Sequence, residues 1–416
     1  MMTAAAAAGK NVSVEWHAPF FSGGGYCSEA TTFAVALDAL GVDTYVAQHG
    51  DGVSQEYIAG QRGNAGFEKV VAISRKRKKR TDVAVCHSEP GAWHVLRGPN
   101  WPSSPCPPRG AGIVVGRTMF ETDRLPDGWV GRLNAVDEVW VPTEFHRAIF
   151  SAAGTSRVSV VGEPVDVDAF RPDGRELEVE GSFVVASVFK WEKRKGWDVL
   201  LAAWRDAWAR DANCDAQLVL VANAYHSDSD FRAKLDTYVR EDLAEPRGLR
   251  GLCPIRVASD LSQDDLESLY RRADLLAAPS RGEGWGRPHV EAMASGTPIV
   301  ATNWSGPTAY LTNDNGYPLA FRPDLVRVGD GPFRDHMWAE PDVDHLAAIF
   351  RRARDFPDER RAKGARARAD MVNFFSPRAL ALVVADRLDD LLRRRRDDDR
   401  KQQAGSTTTT TTTTEL

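Results

Sequence analysis

Two glutamates, Glu283 and Glu291, stand with seven residues between them in the stretch Pro279 to Thr302, and the residues that separate them begin Gly284-Trp285-Gly286-Arg287. Glycines at 284 and 286 let backbone N–H groups come close to a ligand. A helix that begins just after them aims its positive N-terminal end at the same place, which makes a corner that attracts phosphate. Two carboxylates beside such a corner repel a bare phosphate but accept hydrogen bonds from hydroxyl groups. A ligand that carries phosphate and hydroxyls together satisfies both demands. Glu283 lies between two glycines and supports no helix, so packing alone does not account for it. Glu291 has a second reading, because an acid in the first turn of a helix stabilises the helix dipole. His289 is read as locally hydrogen-bonded rather than as a ligand.

Other segments could meet that ligand. Phe189-Lys190-Trp191-Glu192-Lys193-Arg194-Lys195-Gly196 follows a strand and precedes a helix, the place where open α/β sheets bind ligands. There Lys190 and Lys195 could clamp a diphosphate, the plainer alternative being a solvated charged loop. Phe21-Ser22-Gly23-Gly24-Gly25-Tyr26 makes a second glycine loop between strand and helix, without the full dinucleotide fingerprint. His87 ends a strand, where a histidine can orient a sugar hydroxyl or simply sit satisfied in the core. The proline-rich Arg97 to Gly110 carries Trp101, an aromatic face suited to a sugar ring. The runs Asp166-Val167-Asp168 and Asp342-Val343-Asp344 imitate metal-binding pairs but lack a strand-end setting, so no metal is expected. Asp123 follows an apolar strand with no assigned role. The six basic residues Arg75 to Arg80 read as a solvated loop, with an anionic membrane surface or a nuclear signal as the alternatives.

The elements that must position these groups alternate. Strands are expected at Val12 to Trp16, Asp43 to Val46, Asp82 to Cys86, Ile113 to Gly116, Glu138 to Val141 and Val158 to Val161, with a helix from Ser28 to Leu40. The pattern restarts after a loop-like stretch at Pro172 to Gly181, with strands at Phe183 to Val188, Gln217 to Ala222, Ile255 to Ala258, Leu275 to Ala278 and Ile299 to Thr302. Between the last two, Pro288 suits a first helical position and Gly296 a helix stop. Gly196 to Arg210 sets Val199, Leu200, Ala203, Trp204, Ala207 and Trp208 along one face at helical spacing. A last amphipathic helix runs from Ala379 to about Arg396, and the polar tail from Asp397 has little to bury.

At 416 residues and 43% apolar content the chain can bury more than one core. A net charge of -5 excludes a nucleic-acid binder driven by overall charge. Five scattered cysteines without a Cys-x-x-Cys pair suggest neither disulfides nor zinc, so a reducing compartment is expected. The alanine-rich start lacks the charge and apolar core of a signal peptide, and no apolar run reaches the length of a membrane span. A cytoplasmic protein with an open question of peripheral membrane contact is the expectation.

A nucleotide sugar is one ligand with both phosphate and hydroxyls. On the segments Glu283 to Glu291 with Glu-Ala-Met-Ala-Ser-Gly-Thr-Pro after them, Phe189 to Gly196, and Gly162-Glu163-Pro164-Val165-Asp166 with Phe170-Arg171-Pro172, the chain resembles the retaining nucleotide-sugar glycosyltransferases of family 4, glycosyl transferases group 1. The resemblance covers most of residues 11 to 396. It implies an α/β GT-B fold of two facing Rossmann-like domains with parallel sheets: an acceptor-side domain 11–172 completed by a C-terminal helix 377–396 that crosses back to it, and a nucleotide-sugar-binding domain 182–376; the tail 397–416 is expected to be disordered from its polar composition. It also implies that Glu291 binds ribose, that Glu283 lies at the donor sugar, that Lys190 and Lys195 hold the diphosphate, and that Gly24, Gly25 and His87 lie near donor phosphate and acceptor. Gly284, Trp285, Gly286 and Arg287 complete the donor site. Departures are Lys190 where arginine is usual, Glu163 where asparagine is common, and Ser305-Gly306-Pro307-Thr308 in place of a frequent Gly-Gly turn.

The expected reaction moves a sugar from a UDP- or GDP-sugar to a saccharide, lipid or protein hydroxyl, with no cofactor and no nucleic-acid partner. A sugar-nucleotide epimerase or hydrolase on the same fold, and a non-catalytic sugar-nucleotide binder, are the alternatives.

Overall fold

Short aliphatic runs, buried along most of their length, build two parallel sheets. The computed structural model describes residues 12–93, 104–209, 211, 214–223, 230–259, 261–329 and 331–408. The first sheet has strands β1 (Ser13–Ala18), β2 (Asp43–Gln48), β3 (Val83–His87), β4 (Ile113–Arg117), β5 (Glu138–Val141) and β6 (Val158–Val160), in the order β2-β1-β3-β4-β5-β6. The second has β7 (Phe183–Lys190), β8 (Ala216–Asn223), β9 (Ile255–Ala258), β10 (Leu275–Ala278), β11 (Ile299–Thr302) and β12 (Gly316–Leu319), in the order β12-β11-β10-β7-β8-β9. Its strands pair in parallel throughout that order. A hairpin of β13 (Val326–Arg327) and β14 (Met337–Trp338) follows.

The helices are α1 (Gly25–Ala39), α2 (Gln55–Gly60), α3 (Ala65–Ser74), α4 (Trp129–Leu133), α5 (Glu144–Ala152), α6 (Trp197–Trp208), α7 (Phe231–Glu241), α8 (Gln263–Arg272), α9 (Arg287–Ala294), α10 (Val343–Asp355), α11 (Pro357–Phe374) and α12 (Pro377–Thr408). On α6 the expected face holds: Val199, Leu200, Ala203, Trp204, Ala207 and Trp208 are all buried in one core with Leu218, Leu220 and Phe350. Among the described residues no helix is long and apolar enough to cross a membrane.

The chain divides into two compact units, one of Met1–Thr118, Gly131–Trp140 and Pro377–Leu416, the other of Met119–Val130 and Val141–Ser376. Residues 141–172 therefore group with the second unit, not the first. The reason is packing: Val165, Val167 and Phe170 bury themselves in the core built on Val184, Leu276 and Val290. In the first unit α12 lies against α1, and Arg387 on α12 donates from Nε to Glu138 Oε1 at 2.6 Å.

Two sequence expectations change here. The helix α12 runs on to Thr408, so residues 397–408 are helical where a disordered tail was expected. Ion pairs one turn apart, Arg394–Asp390 at 2.8 Å and Arg395–Asp399 at 3.4 Å, support a stretch in which residues 397–403 are exposed. The tail residues 409–416 and Trp101 lie outside the described residues. Cysteine pairing is the second change: Cys86–Cys106 and Cys214–Cys253 are disulfides, leaving Cys27 free and buried. Each pair spans a Cα separation of 5.7 Å, which the fold brings about and the spacing does not announce. The basic run Arg75 to Arg80 is exposed throughout, as a solvated loop should be, although Lys76 pairs with Asp38, Lys78 with Glu15 and Arg80 with Asp82.

Candidate active site

Strand order reverses in the second sheet between β7 and β10, each parallel to the other. At such a switch point the loops leaving the two strands diverge and open a crevice at their carboxyl ends. Lys190 closes β7, and the turn Lys193–Lys195 follows it. From β10 come Pro279 to Gly286 and then α9. The separated segments singled out from sequence are thus neighbours. Gly196 caps α6 at φ +67°, and a Cβ there would lie 1.9 Å from the Pro279 carbonyl oxygen, so only glycine lets the two loops approach.

Glu283 and Lys195 meet directly. The Lys195 ammonium donates to Glu283 Oε1 at 2.7 Å and Oε2 at 2.8 Å. Ser280 Oγ donates to Oε1 at 2.7 Å, and Arg194 Nη1 donates to Oε2 at 3.2 Å. Burial alone would raise the Glu283 carboxyl, but Lys195 and Arg194 reverse this and hold it well below the usual carboxylate range. Its backbone is held as well: the Glu283 N–H donates to Ser305 Oγ at 2.9 Å, and the Gly306 N–H donates to the Glu283 carbonyl at 2.9 Å. Among the described residues Ser305, at φ +58°, is one of two non-glycine residues with positive φ.

Gly284 has a packing reason, since a Cβ there would stand 2.3 Å from Met119 Sδ. Trp285 is buried against Tyr310 and Phe375 and presents no open face. Gly286 caps α9, which starts at Arg287, so Pro288 is its second residue rather than its first. Gly296 follows the helix at φ +82°, as a stop should.

Glu291 is the fifth residue of α9, beyond the first turn, and the dipole explanation does not apply to it. It accepts from Tyr270 Oη at 3.2 Å and faces Arg287 Nε at 3.8 Å. Burial outweighs Arg287 and raises its pKa. Arg287 also reaches the Pro164 carbonyl at 2.5 Å. His289 is buried rather than on the helix surface; its Nδ1 is 2.9 Å from Tyr310 Oη, and burial lowers its pKa to about 4.

His87 and the Gly23–Gly25 loop belong to the first sheet, whose order reverses between β1 and β3. The loop follows β1, and Gly24 caps α1 at φ +88°. His87 ends β3 but is fully buried with both ring nitrogens engaged: Trp16 Nε1 donates to Nδ1 at 3.0 Å, and Nε2 faces Glu29 at 3.0 Å. Arg117 at the end of β4 donates from Nε to the other Glu29 oxygen at 2.7 Å. This buried cluster ties the start of α1 to the ends of β3 and β4. The expectation of a catalytic His87 is corrected accordingly, because neither nitrogen is open to a substrate.

Sequence reading passed over Arg194 and Arg281. Arg281 bonds Asp198 through two nitrogens at 2.9 Å each, and Glu340 through two at 2.7 Å each. The aspartate pairs are local caps: Asp166 Oδ1 accepts the Asp168 and Ala169 N–H groups, and Asp342 caps α10. Asp123 accepts the Met337 N–H at 2.7 Å. Among the described residues no group of three or more His, Cys, Asp or Glu is placed to hold a metal ion. Two surface cavities, of about 470 Å³ beside Tyr317, Arg352 and Lys363 and of about 600 Å³ beside Ile58, Phe67 and Arg75, are lined by none of the site residues.

Residues 181–335 match the family described as Glycosyl transferases group 1. A D-inositol 3-phosphate glycosyltransferase of Corynebacterium aurimucosum is 32% identical over 174 residues, 39% of this chain and 39% of that protein. The chain spans less than half the length of the curated relatives it matches first. Sucrose-phosphate synthase from Thermosynechococcus elongatus superposes with a TM-score of 0.64 at 16% identity, covering 92% of this chain and 99% of that one. Anabaena Alr3699/HepE, solved with UDP and glucose, gives 0.58 at 15% identity, covering 91% and 100%. The chain therefore has the GT-B fold, and its segment 181–335 matches the glycosyl transferases group 1.

Proposed function

We propose that the chain transfers a sugar from a nucleoside diphosphate sugar to a hydroxyl acceptor, with the anomeric configuration retained. The observation that carries this reading is the convergence, at the β7/β10 switch point, of the cationic turn Lys193–Lys195 with the Glu283 loop and the start of α9. Lys190, Lys195, Arg194 and the backbone N–H groups opening α9 would balance the charge that grows on the leaving phosphate. Glu291 would accept from ribose hydroxyls, and Glu283 would lie at the donor sugar.

The bond from the anomeric carbon to the phosphate oxygen breaks as the bond to the acceptor oxygen forms on the same face. The acceptor proton passes to the departing phosphate, so no enzymic nucleophile is needed and the carboxylate-pair rule of glycosidases does not apply. The reading invokes no metal and no cofactor. Gly24 and Gly25 are assigned to donor phosphate or acceptor, and His87 to holding their loop.

UDP-sugars come first for testing because UDP occupies a neighbour of the same fold, and D-inositol 3-phosphate joins the acceptor panel from the relatives' names. Turnover with a UDP- or GDP-sugar that is lost in Glu291→Ala and Lys195→Ala supports the assignment; full activity in both variants removes it. Sugar release without any acceptor would favour a hydrolase or epimerase. A cytosolic location stands against the two bridged cysteine pairs, and counting thiols in protein taken from its native compartment decides between them.

A further inference from the structure

We propose that Arg281 is the positioning residue that sets the distance between Lys195 and Glu283, and through it the grip on the donor diphosphate; this rests on the donor-site reading above. A guanidinium has five N–H donors, and each one of Arg281 is spent inside the protein. Nη1 donates to Asp198 Oδ1 at 2.9 Å and to the Lys193 carbonyl at 2.8 Å. Nη2 donates to Asp198 Oδ2 at 2.9 Å and to Glu340 Oε1 at 2.7 Å, and Nε donates to Glu340 Oε2 at 2.7 Å. With its side chain 5% exposed, Arg281 has no donor left for a ligand.

What it joins are the two loops of the site. Asp198 is the second residue of α6 and also takes the Lys193 ammonium at 2.6 Å. The Arg281 N–H donates to the Arg194 carbonyl at 2.7 Å, and its own carbonyl accepts from Ala339 at 3.0 Å. Lys193 and Arg281 face Asp198 and Glu340, so the charges balance. The turn that carries Arg194 and Lys195 is thereby fixed to a residue two places before Glu283. Lysine cannot replace this fork, because one ammonium does not reach two carboxylates and a carbonyl in fixed directions.

The test uses Arg281→Lys, Arg281→Ala and the milder Glu340→Gln, which removes one charge and leaves the Asp198 contacts. Donor and acceptor KM are read in turnover, and UDP and GDP affinity by calorimetry. Arg281→Lys should raise donor KM and weaken nucleotide binding about tenfold or more, with acceptor KM within about twofold, and Glu340→Gln should shift donor KM the same way by about threefold. A merely structural role would lower Tm and the active fraction and leave both KM values alone. Unchanged donor KM and nucleotide affinity in folded Arg281→Lys, or in Glu340→Gln alone if the Arg281 variants do not fold, overturns the inference. Wild-type protein that neither binds nucleotide nor transfers sugar overturns the donor-site reading first, and the inference with it.

Discussion

The Lys195 ammonium bridges both carboxylate oxygens of Glu283, at 2.7 and 2.8 Å. A diphosphate that draws on Lys195 must compete with this pair, and Glu283 would then keep Arg194 and Ser280. On the proposed reading, donor binding would thus be coupled to a rearrangement of charge between the two loops of the site.

Lys195→Ala should lower turnover by about a hundredfold, the scale of losing one preorganised donor to developing charge. Stability should fall by about 2 kcal/mol, as expected for a lost hydrogen bond to a charged group. Steady-state kinetics and urea unfolding of the unliganded protein measure the two. Arg194→Ala should act in the same direction, since it meets the same carboxylate at 3.2 Å.

Glu291→Gln separates stability from binding. Burial raises the Glu291 pKa, so its contribution to stability is present below the unfolded pKa and is lost as pH rises through the folded one. At neutral pH its charge therefore costs the unliganded protein. The amide variant should melt at the same temperature or higher while binding UDP or GDP about tenfold more weakly. A lower melting temperature with unchanged nucleotide affinity would count against Glu291 as the ribose ligand.

Acid stability should report Glu15 in the first unit. Burial would raise its carboxyl, but His17, Lys78 and Thr81 together lower it to about 2. A lowered folded pKa means that the stabilisation is present above the unfolded value and fades as pH falls from about 4.5 toward 2. Urea midpoints across that window should drop less steeply in Glu15→Gln than in the wild type. Parallel slopes would show that the pair does not govern acid unfolding.

Thiol counting checks the cysteine pattern. Denatured, unreduced protein should titrate one thiol, Cys27, and five after reduction. Removing one bridge should cost about 2–4 kcal/mol of stability. Five thiols without reductant would place all the cysteines in the reduced state and restore the reducing compartment expected from their spacing.

The strands Ile255–Ala258, Leu275–Ala278 and Ile299–Thr302 have the bounds expected from sequence, because each is a short, mainly apolar run bounded within one residue by proline or a polar or charged side chain. β12 was not expected: Gly316-Tyr317-Pro318-Leu319 carries proline, and it is tolerated only because the strand lies at the sheet edge. Glu283, Glu291, Lys190 and Lys195 could be singled out because glycines and helix signals surround them within a few residues.

The sequence by itself determined two α/β repeats, the glycine-framed glutamates and the cationic turn, since all of these are written in spacing of less than about a dozen residues. Only the tertiary structure decided which charges meet. Arg281 finds Asp198 across 83 residues and Glu340 across 59, and Glu29 finds His87 across 58 and Arg117 across 88. Those partners are selected by strand order, which brings distant strand ends side by side, and no local periodicity records it. The same holds for Cys86 with Cys106 and Cys214 with Cys253, and for Val165, Val167 and Phe170, whose burial in the second core assigns them to that unit.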